Sequence, residues 1–84
     1  AQNNTFEAVA REFMKTEKLA ESTMHRNQFI YRYLFDAIGH KPIHEITARN
    51  LLDVCQIYEQ QGKTETARRM RSKAGQVFRY GLLP

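Results

Sequence analysis

The last nineteen residues, Thr66 to Pro84, contain no acidic side chain, yet most of them belong to a regular amphipathic pattern. At 100° per residue, Ala67, Met70, Ala74, Val77, Phe78 and Gly81 fall in a stripe of about 100°, the width of a core-facing helix surface. Arg68, Arg69, Ser72, Lys73, Gln76, Arg79 and Tyr80 cover the opposite face, and Arg71 sits at the border. A solvated helix normally mixes both signs, because Glu and Lys four apart support each other. Here five basic side chains repel one another along one rod, with nothing local expected to offset them. The spacing therefore predicts a helix that packs the domain with one face and touches a polyanion with the other. Arginine favours bidentate contacts to phosphate and guanine edges, and Ser72 and Gln76 add neutral donors between the arginines. The plainer alternative is an ordinary solvated basic face.

The rest of the chain supplies little positive charge. Residues 1–62 hold 7 basic and 8 acidic groups, a net of −1, whereas residues 63–84 hold 6 basic and 1 acidic, a net of +5. With 84 residues, 42% of them hydrophobic, there is material for one modest core and one domain. The single cysteine excludes an internal disulfide. No apolar run approaches the roughly 18 residues of a membrane helix, and no signal-peptide pattern opens the chain. A cytoplasmic location with no membrane partner is the expectation. The ends, Ala1 to Asn4 and Leu82 to Pro84, read as cut points of something longer, with Asn3 and Asn4 frayed.

Taken in order, Thr5 is an N-cap and Glu7 suits the helix dipole. Phe6, Val9, Ala10, Phe13 and Met14 then recur at helical spacing, predicting a helix over about 5–18. A second helix, opened by Ser22 or Thr23, runs over about 22–37 and stops before Gly39. Ile30, Tyr33, Leu34 and Ala37 share its core face, with Phe29 at the edge. One turn earlier that face meets Arg26 and Asn27. Two accounts stand: Arg26 snorkels to water at the domain rim, or Thr23, His25, Arg26 and Asn27 face a ligand. Residues 39–47 form a turn, in which Pro42 bars helix continuation and Thr47 caps a third helix over about 47–61. Ile46 and Leu51 occupy the two positions of a hydrophobic staple. Leu51, Val54, Cys55 and Tyr58 form the third core stripe, Gly62 stops it, and the basic helix covers about 64–81. The pattern is an all-α four-helix bundle.

Chemistry is sparse. Cys55 lies on an apolar stripe and reads as an inert thiol. His40 and His44 straddle Pro42 and have no ligand cluster beside them, so neither metal nor cofactor is expected. Glu7 with Arg11, and Arg32 with Asp36, are i,i+4 neighbours and read as surface pairs. Tyr33 and Tyr58 fall on core stripes, while Tyr31 and Tyr80 are placed outward with no partners to activate them. No catalytic residue is indicated, and the chain by itself is not expected to be an enzyme.

Three motifs then carry a resemblance. Thr5 to Phe13, the turn Gly39-x-x-Pro42-Ile43-x-x-Ile46-Thr47 followed by Leu51 and Leu52, and the end Thr66 to Arg71 with Gln76 to Gly81 occur in order over nearly the whole chain. Together they resemble the core-binding domain of phage-type integrases, members of the tyrosine site-specific recombinases. The resemblance implies a four-helix, SAM-like DNA-binding domain that clamps one side of the duplex at the crossover site during DNA integration and recombination. It implies that the arm-binding and catalytic domains, with the nucleophilic tyrosine, lie outside residues 1–84. Its partners would be double-stranded DNA, the catalytic domain of the same full-length chain and neighbouring integrase protomers, on bacterial or prophage DNA at the nucleoid. The second and fourth helices would face DNA, giving Thr23, His25, Arg26, Asn27, Arg68, Arg69, Arg71, Ser72, Lys73, Gln76 and Arg79 as contact residues. With about four phosphates held by Arg68, Arg69, Lys73 and Arg79, log K would fall against log salt with a slope near −3.6.

Two rivals remain at this point. A helix-turn-helix needs a turn of three or four residues before its recognition helix, which the 39–47 connector does not match. A protein-interaction module of SAM-like fold predicts an exposed apolar patch and binding that survives salt.

Overall fold

The computed structural model describes residues 4–82; the expectations for residues 1–3 and 83–84 lie outside it. Within that range four α-helices follow one another: α1 (Phe6–Thr16), α2 (Glu21–Ile38), α3 (Ala48–Gln60) and α4 (Thr64–Leu82), with a short 3-10 turn at Ile43–Glu45. The bundle is all-α, and α4 packs against each of the other three helices. It is flat, 38 × 31 × 19 Å, so its thin direction is about two helices deep.

Local chemistry sets the helix ends. Thr5 Oγ1 accepts from Ala8 N–H at 3.2 Å, as an N-cap should. At α3, Thr47 Oγ1 accepts from Asn50 N–H at 3.1 Å while Asn50 Oδ1 accepts from Thr47 N–H at 3.0 Å, a reciprocal capping box. The other end of α3 closes in a Schellman motif: Lys63 N–H bonds Tyr58 O at 2.9 Å, and Gly62 N–H bonds Glu59 O at 3.0 Å. Gly62 carries φ of 81°, the one left-handed residue among those described. The start of α2 differs from expectation. It begins at Glu21 behind Ala20, with no side-chain cap, so neither Ser22 nor Thr23 opens it.

The 39–47 connector also caps α1. The first N–H groups of a helix lack partners within the helix. Phe6 N–H finds Lys41 O at 2.9 Å and Glu7 N–H finds Gly39 O at 3.0 Å. Ile43 N–H in turn bonds Asn4 O at 2.7 Å, so Asn4 is held rather than frayed.

The core gathers Phe6 and Ala10 from α1, Ile30, Tyr31, Leu34 and Ile38 from α2, Ile43 from the connector, Leu51 and Cys55 from α3, and Ala67, Met70, Ala74 and Val77 from α4. The predicted stripes of α1, α3 and α4 are all present in it. That of α2 is rotated: Tyr31 and Ile38 are buried, while Tyr33 and Ala37 sit at the margin. Tyr31, placed outward by spacing, is 2% exposed. Its ring lies 5.7 Å from Phe35 and its hydroxyl donates to Glu17 at 3.4 Å. Burial, then the negative charge of Glu17, pushes the Tyr31 phenol above the usual tyrosine range. Glu7 and Arg11 pair at 2.7 Å as expected. Arg32 instead lies over the Phe29 ring, 5.9 Å from its centroid, and does not pair with Asp36.

Candidate nucleic-acid interface

The surface between α2 and α4 is an open groove of about 430 Å³. Thr23, Arg26 and Asn27 line it from α2, and Arg69, Ser72, Lys73 and Gln76 from α4, with Glu17, Leu19 and Ile30 completing the wall. Two sets of residues more than forty positions apart in sequence thus share one concavity. The reason is packing. Ile30 and Leu34 draw α2 onto the apolar stripe of α4, and the uncapped first turns of α2 then extend beyond the core beside the polar flank of α4.

The charges on α4 are not unpartnered. Glu65, one turn before the basic run, bonds Arg68, and its second oxygen accepts from Arg69 Nε at 3.0 Å. The expectation that nothing local offsets these arginines is therefore corrected: Glu65 sits at i−3 and i−4 from them. Their hydrogen bonds hold the Glu65 carboxyl below its usual range. Lys73 is a second correction. Placed on the solvent face by spacing, it is 9% exposed. Its ammonium donates to Glu17 Oε2 at 3.0 Å and to Gln76 Oε1 at 3.1 Å. The rings of Tyr31 and Phe13 lie 5.7 and 5.8 Å away. Glu17 comes from the end of α1, 56 residues earlier.

The remaining sequence-predicted residues divide. Arg79 is exposed at the far end of α4, with its guanidinium over Gly75. Arg68 is exposed beside Glu65, outside the groove lining. Arg71 is exposed on a different side of α4, five residues and about 140° from Gln76, where its charge acts on Cys55 of α3. His25 also leaves the groove, with its ring edge-on to Phe29 at 5.8 Å. Arg26, Arg71 and Arg79 make no ion pair among the described residues. Spacing missed Glu17, Leu19 and Ile30 as groove residues. Lys73 gave one usable signal, since it lies four residues before buried Val77 and so flanks the apolar stripe.

Burial pushes the Cys55 thiol up, so it is held as an unreactive thiol inside the core. Among the described residues, no three His, Cys, Asp or Glu side chains are grouped to hold a metal ion, and no helix is long and apolar enough to cross a membrane.

What fold and surface define is an all-α four-helix module with a cationic, hydrogen-bonding groove between its second and last helices. The family model described as the phage integrase central domain matches residues 6–83, and the chain belongs to that family. It is 29% identical over 84 positions to the prophage integrase IntS of Escherichia coli strain K12, covering 96% of this chain and 22% of that protein. It is likewise 29% identical over 84 positions to the integrase of Shigella phage Sf6, again covering 96% of this chain and 22% of that one. The chain thus spans about a fifth of the length of these curated relatives. No solved structure matches it.

Proposed function

We propose that this chain is the DNA-clamping, core-binding module of an integrase and grips the duplex at the crossover site through the α2–α4 groove. The observation that carries this reading is the meeting of Thr23, Arg26 and Asn27 with Arg69, Ser72 and Gln76 in one groove, in a chain whose family is the phage integrase central domain. Arg26, Arg68, Arg69 and Arg79 take the phosphates, and Ser72, Gln76 and Asn27 reach base edges. Lys73 leaves the phosphate set, because its charge is already matched by Glu17.

In this reading the module is a non-catalytic part of a longer recombinase. It acts beside the catalytic domain of the same chain and neighbouring protomers, on DNA at the bacterial nucleoid. Four guanidinium contacts, less one charge held by Glu65, leave about three released counterions, a salt slope near −2.7 and micromolar or weaker affinity.

The test is an NMR titration with a duplex of about 20 base pairs at low and then high salt. Shifts on Thr23 to Asn27 and Arg69 to Arg79 that fade with salt support the clamp. Shifts that persist in salt and map to α3, where Leu52 and Ile57 are exposed, would replace it with the protein-interaction module.

A further inference from the structure

A chain of polar contacts runs from the core to the groove. Tyr31 donates to Glu17, Lys73 donates to Glu17, and Lys73 donates to Gln76 Oε1 at 3.1 Å. An ammonium has three donors and no acceptor, so only the oxygen of an amide faces it. The orientation of the Gln76 amide is thereby decided by chemistry. Its Nε2 hydrogens have no protein acceptor among the described residues, and no buried side-chain nitrogen or oxygen is left unpaired. The NH2 group is therefore open to the groove that Gln76 lines.

We infer that Lys73 is a positioning residue that sets the base preference of Gln76, presenting it as a donor. The inference rests on the DNA-clamp reading. A free glutamine pairs with adenine by accepting from N6 and donating to N7, which uses both ends of the amide. Lys73 occupies one of the two lone pairs of the Gln76 oxygen with a charged donor, so the N–H groups are the end of this amide that no protein group among the described residues engages. Those fit the O6 and N7 acceptors of guanine better than the mixed edge of adenine. The Glu17 carboxylate matters because it anchors the ammonium, which also lies over the Phe13 and Tyr31 rings while it reaches Gln76.

The experiment compares the wild type with Lys73→Met and with the charge-neutral double variant Glu17→Gln/Lys73→Met, each verified as folded by circular dichroism and melting. Each is used to select duplexes from a base-randomised library, with Gln76→Ala identifying the position read by Gln76. The salt slope of binding is measured alongside. The wild type is expected to enrich guanine over adenine about tenfold at that position. The variants lose that ratio, gaining adenine, while the salt slope of the charge-neutral double variant stays unchanged. A slope flattened by about 0.9 in that double variant would make Lys73 itself a phosphate contact and overturn the assignment. A guanine preference that survives in the folded double variant, or adenine preferred by the wild type, overturns it as well. Should the wild type retain no duplex at all, the clamp reading fails and this inference with it, a pattern distinct from bound duplex with the wrong preference.

Discussion

Glu65 offers the sharpest test of how the basic face works. Its carboxylate bonds both Arg68 and Arg69, and all three side chains are solvent-exposed. Glu65→Gln removes one negative charge within hydrogen-bond reach of two guanidinium groups. In the counterion-release picture this adds one effective cation, so the salt slope should steepen from about −2.7 to about −3.6. Raising salt from about 50 to 200 mM then weakens the wild type about 40-fold and the variant about 150-fold. At about 0.1 M salt the variant binds about eightfold tighter, relative to a common value at about 1 M. Fluorescence anisotropy with a labelled duplex across a salt series reads both quantities. Because glutamine loses the favourable charge in the first turn of α4, the variant should also melt slightly lower, separating stability from affinity. Acidification should mimic the substitution, but only below the usual carboxylate range, because the arginines hold the Glu65 proton affinity down. An unchanged slope would refute the reasoning by removing Arg68 and Arg69 from the DNA surface.

The remaining expectations concern the scaffold. Thr47→Ala removes the hydroxyl half of the capping box, the acceptor for Asn50 N–H, while the backbone N–H of residue 47 can still donate to Asn50 Oδ1. It should cost about 1 kcal/mol in urea unfolding, with an unchanged α2–α4 spectrum. Gly62→Ala and Gly81→Ala should both destabilise, for opposite reasons. At Gly62 an added Cβ meets nothing within 4 Å, so the cost, about 1 kcal/mol, comes from the left-handed backbone. At Gly81 the Cβ would stand 2.7 Å from Val9 Cγ1 and 3.1 Å from Ile43 Cδ1. Val9→Ala should therefore partly rescue Gly81→Ala in a double-mutant cycle and leave Gly62→Ala unimproved. Stability should also fall in alkali. The Tyr31 phenol is held neutral in the folded protein, so above about pH 10 the unfolded chain loses that proton first. Urea midpoints declining through that range, and declining less in Tyr31→Phe, would verify the sign.

What spacing could reveal was local. The apolar stripes of α1, α3 and α4, the Thr5 and Thr47 caps and the Gly62 stop each depend on residues within two turns of one another, and all are found in the fold. The groove was half legible: Thr23 to Asn27 and Arg69 to Gln76 were named, but their meeting depends on how α2 crosses α4. Lys73 shows where such reasoning stops. Its partner Glu17 lies 56 positions away at the end of another helix. A helical wheel ranks lysine as outward whatever carboxylate the fold delivers to it. Tyr31 failed for a related reason. Its hydroxyl is tolerated inside because Glu17 accepts from it and because Phe35 receives its ring. Neither contact follows from period alone.

The connector that caps α1 has a mechanical meaning. Asn4 is bonded to Ile43, Phe6 and Glu7 hang from Lys41 and Gly39, and Gly81 nests against Val9 and Ile43. The first and last described turns of the chain are thus joined at one pole by residues 39–43. Tension applied between residues 4 and 82 would be taken up there, across a few hydrogen bonds and one tight steric contact. The stretch of α4 before Gly81 and the overhanging start of α2 lie off that load path. A pull on the ends would leave the spacing between Arg26 and Ser72 unchanged until the pole itself gave way.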